Sequence, residues 1–98
     1  MARKRRFSDE SFGATIQRLM AEGNITYRAL ADKTKLSAGY LNHLVHGNRP
    51  VPSDDVIDSL AKALGVEAEH FREVRIRRIS ERLEEMPDLI DRLYKRLG

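Results

Sequence analysis

Cysteine is absent from this 98-residue chain, which excludes disulfides and thiolate metal sites and leaves stability to packing or self-association. No stretch approaches the roughly 18–20 consecutive apolar residues of a membrane span, and the basic N-terminus is not followed by a signal-peptide core. A cytoplasmic protein with no membrane partner is therefore expected. The chain also lacks a glycine-rich phosphate loop, a nucleophile motif and a metal-ligand set, and so short a polymer has little room for a pocket. Catalysis is the weakest class of function, and no cofactor is expected. Internal repeats, low-complexity tracts and flexible linkers are missing too, so one globular unit is the prior.

What is present is charge, unevenly placed. Residues 1–52 carry nine Lys/Arg against four Asp/Glu, whereas residues 53–98 carry nine against eleven, giving about +5 and −2 within a net charge of +3. A basic N-terminal half suits a polyanion, and charge alone fits an anionic membrane equally well.

Hydrophobic periodicity reads as helix throughout. Residues 1–7, with Arg3, Lys4, Arg5 and Arg6, form a basic arm without apolar spacing. Ser8 is expected to cap a first helix with Asp9 and Glu10 in its first turn and Phe12, Ile16, Leu19 and Met20 inside; Gly23-Asn24 ends it. Thr26 caps a short second helix carrying Leu30 and Ala31 to about Thr34. Ser37 caps a third, with Tyr40, Leu41 and Leu44 inward and Gly47 as terminator. With so few residues between them the two helices cannot fold back antiparallel and should cross steeply, as a helix-turn-helix does. Arg49-Pro50-Val51-Pro52 is extended. Ser53 is expected to cap a fourth helix, with Asp54 and Asp55 complementing its dipole, Val56, Ile57, Leu60 and Leu64 as its buried stripe and Gly65 as its stop.

From Val66 onward Phe71, Val74, Ile76, Ile79 and Leu83 continue the pattern. The series Ile76, Ile79, Leu83, Met86, Ile90, Leu93 and Leu97 alternates steps of three and four like a heptad seam, flanked by Arg77, Arg78, Glu81, Arg82, Glu84 and Glu85. Such a stripe either completes a monomer's core or forms a homodimer interface, and its extent and flanking charges favour dimerisation. Pro87 interrupts it, either starting a sixth helix that folds the tail into a hairpin or kinking one long helix whose residues 76–97 would span roughly 33 Å.

Leu30-Ala31, Leu36-Ser37, Leu41, Leu44, Gly47-x-Arg49-x-x-Pro52 and Leu60-Ala61-x-x-Leu64-Gly65-Val66 resemble the phage-repressor (Cro-type) helix-turn-helix family. The resemblance implies an all-α fold: a four- to five-helix repressor-like bundle over residues 8–66 with a C-terminal helical extension, residues 67–98. It further implies a transcriptional regulator of double-stranded DNA whose third helix enters the major groove. Its base-reading residues would be Ser37, Ala38, Gly39, Asn42 and His43. Thr26, Tyr27, Arg28, Lys35, Tyr40, His46, Asn48 and Arg49, together with the basic arm, would contact the DNA backbone.

Tyr27 stands where the family often has Gln, Lys35 where it has Gly, and Val45 where it has Glu. Tyr27 can still donate a hydroxyl to phosphate, and Lys35 adds a cation at the cost of about 1 kcal/mol if the turn is left-handed there. Asn42 is the preferred base reader, since an amide can pair bidentately with an adenine edge. His43 and His46 share a helix face, but nothing nearby completes a tetrahedral metal set. His70 is expected at a helix surface or core edge. A two-fold dimer would favour a near-palindromic operator. The rival expectation is a protein-interaction module, for example an antitoxin whose C-terminal helices bind a protein partner.

Overall fold

A sequence whose apolar residues recur every three or four positions, punctuated by Ser, Thr and Gly, should break into short helices at those punctuation marks. The computed structural model, which describes residues 6–98, does so. Its elements are α1 (Phe12–Glu22), α2 (Tyr27–Thr34), α3 (Ala38–Val45), α4 (Asp54–Leu64), a single 3₁₀ turn (Ala68–His70), α5 (Arg72–Glu84) and α6 (Pro87–Leu97). The described residues contain no strand.

Two of the four expected caps form their side-chain bond, and Ser53 stands at the cap position of α4 without one. The Thr26 hydroxyl accepts from the Ala29 N–H at 3.1 Å and the Ser37 hydroxyl from the Tyr40 N–H at 3.0 Å. Asn24, Gly47 and Gly65 take left-handed backbone after α1, α3 and α4. In each case the next residue donates back across the last turn, Ile25 to Met20, Asn48 to His43 and Val66 to Ala61, closing carbonyls that would otherwise be orphaned.

Ser8 is not the cap of α1. Its hydroxyl lies buried against Thr15 Oγ1 at 2.7 Å and accepts from the Glu10 N–H, while its backbone N–H donates to His70. These distant partners hold residues 8–10 out of the helix, so Asp9 and Glu10 precede the first turn. Ser11 stands at the cap position without a side-chain cap bond. Its task is taken from outside, by Glu73 of α5, whose Oε2 accepts the Phe12 N–H at 3.2 Å.

Phe12, Ile16, Leu19, Leu30, Leu41, Leu44, Ile57, Leu60, Leu64, Phe71 and Val74 form one buried core. The Phe12 and Phe71 rings meet at 4.9 Å between centroids, so the first turn of α5 belongs to that core. His70 is buried beside them. Its Nδ1 donates to the Arg6 carbonyl at 3.0 Å, and its Nε2 accepts from Arg18 at 3.1 Å. Arg18 is a permanent donor as a guanidinium, and its hydrogen bond to Glu10 and the nearby Glu22 raise its pKa above the usual arginine value.

Pro87 opens α6 at its first position, which decides between the two arrangements the sequence allowed. The ring disfavours helical backbone at the preceding residue, and Met86 sits at φ −132°, ψ 69°. The tail is therefore two helices, and the heptad series is divided into two short apolar faces. Arg77 does not flank an open seam as expected, because its guanidinium turns inward to the carbonyls of Val51 and Pro52. Among the described residues no helix is long and apolar enough to cross a membrane.

Candidate nucleic-acid interface

The α2–α3 unit is held by packing before any ligand is considered. Leu30 and Leu41 are fully buried, Leu44 and Val45 nearly so, and Ala31, Leu36, Tyr27 and Tyr40 pack against them half-buried. Val45, where the resemblance leads one to expect Glu, thus serves the core. Between the helices Lys35 adopts φ 65°, ψ 17° and donates its N–H to the Ala31 carbonyl at 2.8 Å. A lysine in that conformation stores about 1 kcal/mol of strain. Thr34 steadies the same turn by donating to the Leu30 carbonyl and accepting from the Leu36 N–H.

With Leu41, Leu44 and Val45 turned inward, Ser37, Ala38, Gly39, Asn42, His43 and His46 are left exposed. The spacing of 38/39, 42/43 and 46 places them along one outward stripe of α3. Ser37 uses its oxygen as a cap acceptor, which leaves the hydroxyl proton available to a ligand. The His46 ring folds back so that Nδ1 donates to the Asn42 carbonyl at 2.8 Å. With Nδ1 so engaged, Nε2 is the ring nitrogen left to meet a ligand. Thr26, Arg28, Lys35, Asn48 and Arg49 are exposed around the stripe, at the start of α2, in the turn and beyond α3. Arg3, Lys4 and Arg5 lie outside the described residues. Arg6 is exposed, pairs with Glu69 at 3.6 Å and is anchored through its carbonyl by His70.

Gly39 stands out because a Cβ built there meets nothing within 4 Å. The free protein thus gains nothing from glycine at this helical position. Gly39→Ala is expected to stabilise the protein by about 0.5–1 kcal/mol while weakening binding to the preferred DNA site, where the vacated space would be occupied. Thermal melting and fluorescence anisotropy on the same preparation check both halves.

Sequence reasoning missed the supports around this face. Glu73, Arg72, Arg75 and Arg77 of α5 look like surface charge in sequence, yet they bind the Phe12 amide and the carbonyls of Asp9, Ser8, Val51 and Pro52. No local pattern marks a side chain whose partner lies dozens of residues away.

Two short helices joined by residues 35–37 that present a polar stripe from a buried lock are the arrangement of a DNA-binding helix-turn-helix module. The sequence model of the helix-turn-helix domain family matches residues 11–74, and the chain belongs to that family. Among solved structures it is similar to the clp gene regulator ClgR from Corynebacterium glutamicum. One ClgR structure is 33% identical, covering 58% of this chain and 73% of its own with a TM-score of 0.54. A second is 29% identical, covering 84% of each with a TM-score of 0.56. A chain of a SinR protein/SinI protein complex shares the fold at 15% identity, covering 87% of this chain and 96% of its own, TM-score 0.55. No curated protein sequence matches the chain significantly.

Proposed function

We propose that this protein is a sequence-specific double-stranded DNA-binding transcriptional regulator of the phage-repressor (Cro-type) kind, acting as a repressor-like homodimer and not as an enzyme. The observation that carries the reading is the exposed stripe Ser37, Ala38, Gly39, Asn42 and His43 on a helix whose other face is locked into the core. The similarity to ClgR, named as a gene regulator, supports it. In this reading α3 lies in the major groove and Asn42 is the chief base reader. Thr26, Tyr27, Arg28, Lys35, Tyr40, His46, Asn48 and Arg49 meet the flanking phosphates, and Arg3, Lys4, Arg5 and Arg6 of the basic arm add further phosphate contacts.

The homodimer rests on α6. None of its 11 residues is buried, and an isolated helix shorter than ~12–15 residues is marginal in water. Tyr94 is 76% and Leu97 88% exposed, with Ile90 and Leu93 beside them and Ile76 and Ile79 open on α5. Asp88 and Asp91 occupy the first half of α6, whereas Arg92, Lys95 and Arg96 occupy the second. A second copy laid antiparallel sets opposite charges together at both ends and pairs opposed helix dipoles. Residues 67–98 then space two recognition helices on half-sites about 34–36 Å apart, which favours a near-palindromic operator.

Selection of bound fragments from random duplex DNA, followed by titration of the winner, tests the reading. The expected product is a two-fold symmetric site. On it Asn42→Ala costs about 1–3 kcal/mol at one base position per half-site, with random DNA bound as before. Equal losses on operator and random DNA would remove Asn42 from base reading, and no enriched sequence would refute sequence-specific binding. A stoichiometric protein partner captured through residues 67–98 in place of a second copy would favour the protein-interaction module.

A further inference from the structure

We infer that Arg77 is a positioning residue for DNA binding: from α5 it clamps the linker between α3 and α4 and so fixes where Arg49 stands. The inference rests on the DNA-binding reading above. The linker leaves α3 through Gly47, in left-handed backbone at φ 74°, and enters α4 at Asp54. Between them run Asn48, Arg49, Pro50, Val51, Pro52 and Ser53. The two prolines supply no N–H, so the stretch has fewer local donors for its own carbonyls.

Arg77 supplies the missing donors. Its Nη1 donates to the Pro52 carbonyl at 2.7 Å and to Asp54 Oδ1 at 3.1 Å, and its Nη2 donates to the Val51 carbonyl at 3.1 Å. No other described group donates to either carbonyl. One planar fork therefore spans two successive peptide units and the first turn of α4, which a lysine ammonium cannot reproduce. Pro52 is buried and Val51 half-buried beneath it, so the far end of the linker is fixed by both packing and hydrogen bonds. Asn48 and Arg49, at its near end, are exposed beside the last turn of α3, and the clamp limits the positions Arg49 can sample before DNA arrives. A preordered contact loses less conformational entropy on binding than a wandering one.

The test compares the wild-type full chain with Arg77→Ala, Arg77→Lys, Arg49→Ala and the Arg49→Ala/Arg77→Ala double variant, titrated with the selected operator at several salt concentrations. Arg77→Ala and Arg77→Lys are each expected to bind about threefold to tenfold more weakly, and the double variant no more weakly than Arg49→Ala alone, since both changes remove one contact. In the DNA-free protein, amide hydrogen exchange at Asn48 and Ile57, which donate to the His43 and Ser53 carbonyls at the two ends of the linker, should quicken at least about tenfold in Arg77→Ala, with α1 amides unchanged. Wild-type affinity in Arg77→Ala, or losses that multiply with Arg49→Ala, would overturn the inference while leaving the DNA-binding reading intact. Full activity of Arg77→Lys would overturn the two-carbonyl fork. A wild-type protein that binds no duplex would overturn the DNA-binding reading itself, and this inference with it.

Discussion

The double substitution Ile90→Asp/Leu93→Asp is expected to leave a folded monomer whose operator affinity has fallen about 10²–10⁴-fold, the gain that joining two binding modules ordinarily confers. Neither side chain belongs to the buried core, and α6 contributes no buried residue to it. The thermal transition of the core should therefore be nearly unchanged. In the dimer the same positions would carry two carboxylates per copy into an apolar contact. An uncompensated buried charge costs on the order of 3–5 kcal/mol, enough to abolish an interface built from so few turns. Sedimentation across micromolar concentrations reads the oligomeric state, and binding to whole and half operators separates the two effects. Half-operator affinity should be preserved, because α3 is untouched. A wild type that sediments as a monomer, or a double variant that keeps full operator affinity, would contradict the dimer.

Gly13→Ala is expected to destabilise the protein strongly, although it adds a single methyl group. Alanine is the better helix former by about 1 kcal/mol, so local propensity forecasts stabilisation. The tertiary contact reverses the sign. A Cβ on Gly13 would fall onto the Val45 carbonyl oxygen, 2.7 Å from that of Leu44 and 2.9 Å from the Val45 carbonyl carbon. These are backbone atoms at the end of α3, unable to swing aside as a side chain can, so α1 and α3 must separate. Overpacking of this kind costs about 3 kcal/mol, which for a domain of this size lowers Tm by roughly 12–24 °C. Because the separation moves the last turn of α3, operator binding should weaken even well below the transition. Paired melts of Gly13→Ala and Gly39→Ala make the comparison sharp: one should fall and the other rise, and a rise in both would show that α1 and α3 are not held at that distance.

Much of the module was legible in the sequence because its determinants are local. Thr26 and Ser37 cap within three residues, Gly47 and Gly65 end helices within five, and Leu30, Leu41 and Leu44 repeat at helical spacing. The exposed stripe of α3 follows from that spacing once the leucines are assigned inward. Ser8 shows where local reasoning fails. A serine followed by two acids satisfies every rule for a cap, yet Thr15, His70 and Arg75, up to 67 residues away, hold it elsewhere. Glu73 takes over the N-terminus of α1 from a separation of 61 residues. Pro87 was ambiguous because a proline either opens a helix or kinks one. The backbone of Met86 decides it, and in doing so splits an unbroken heptad into two faces.

The sequence by itself determined where α2, α3 and α4 begin and end, which side of each is apolar, and the presence of a helix-turn-helix, because those depend on contacts within one or two turns. Only the tertiary structure decided which charges are structural and which are free. A guanidinium reaches any carbonyl the fold brings within hydrogen-bond distance, so Arg72, Arg75 and Arg77 were indistinguishable from surface charge until α5 was docked against the N-terminal segment and the α3–α4 linker. The same docking leaves α6 outside the core that Phe71 and Val74 complete, with Ile76 and Ile79 of α5 and Ile90, Leu93, Tyr94 and Leu97 of α6 still exposed.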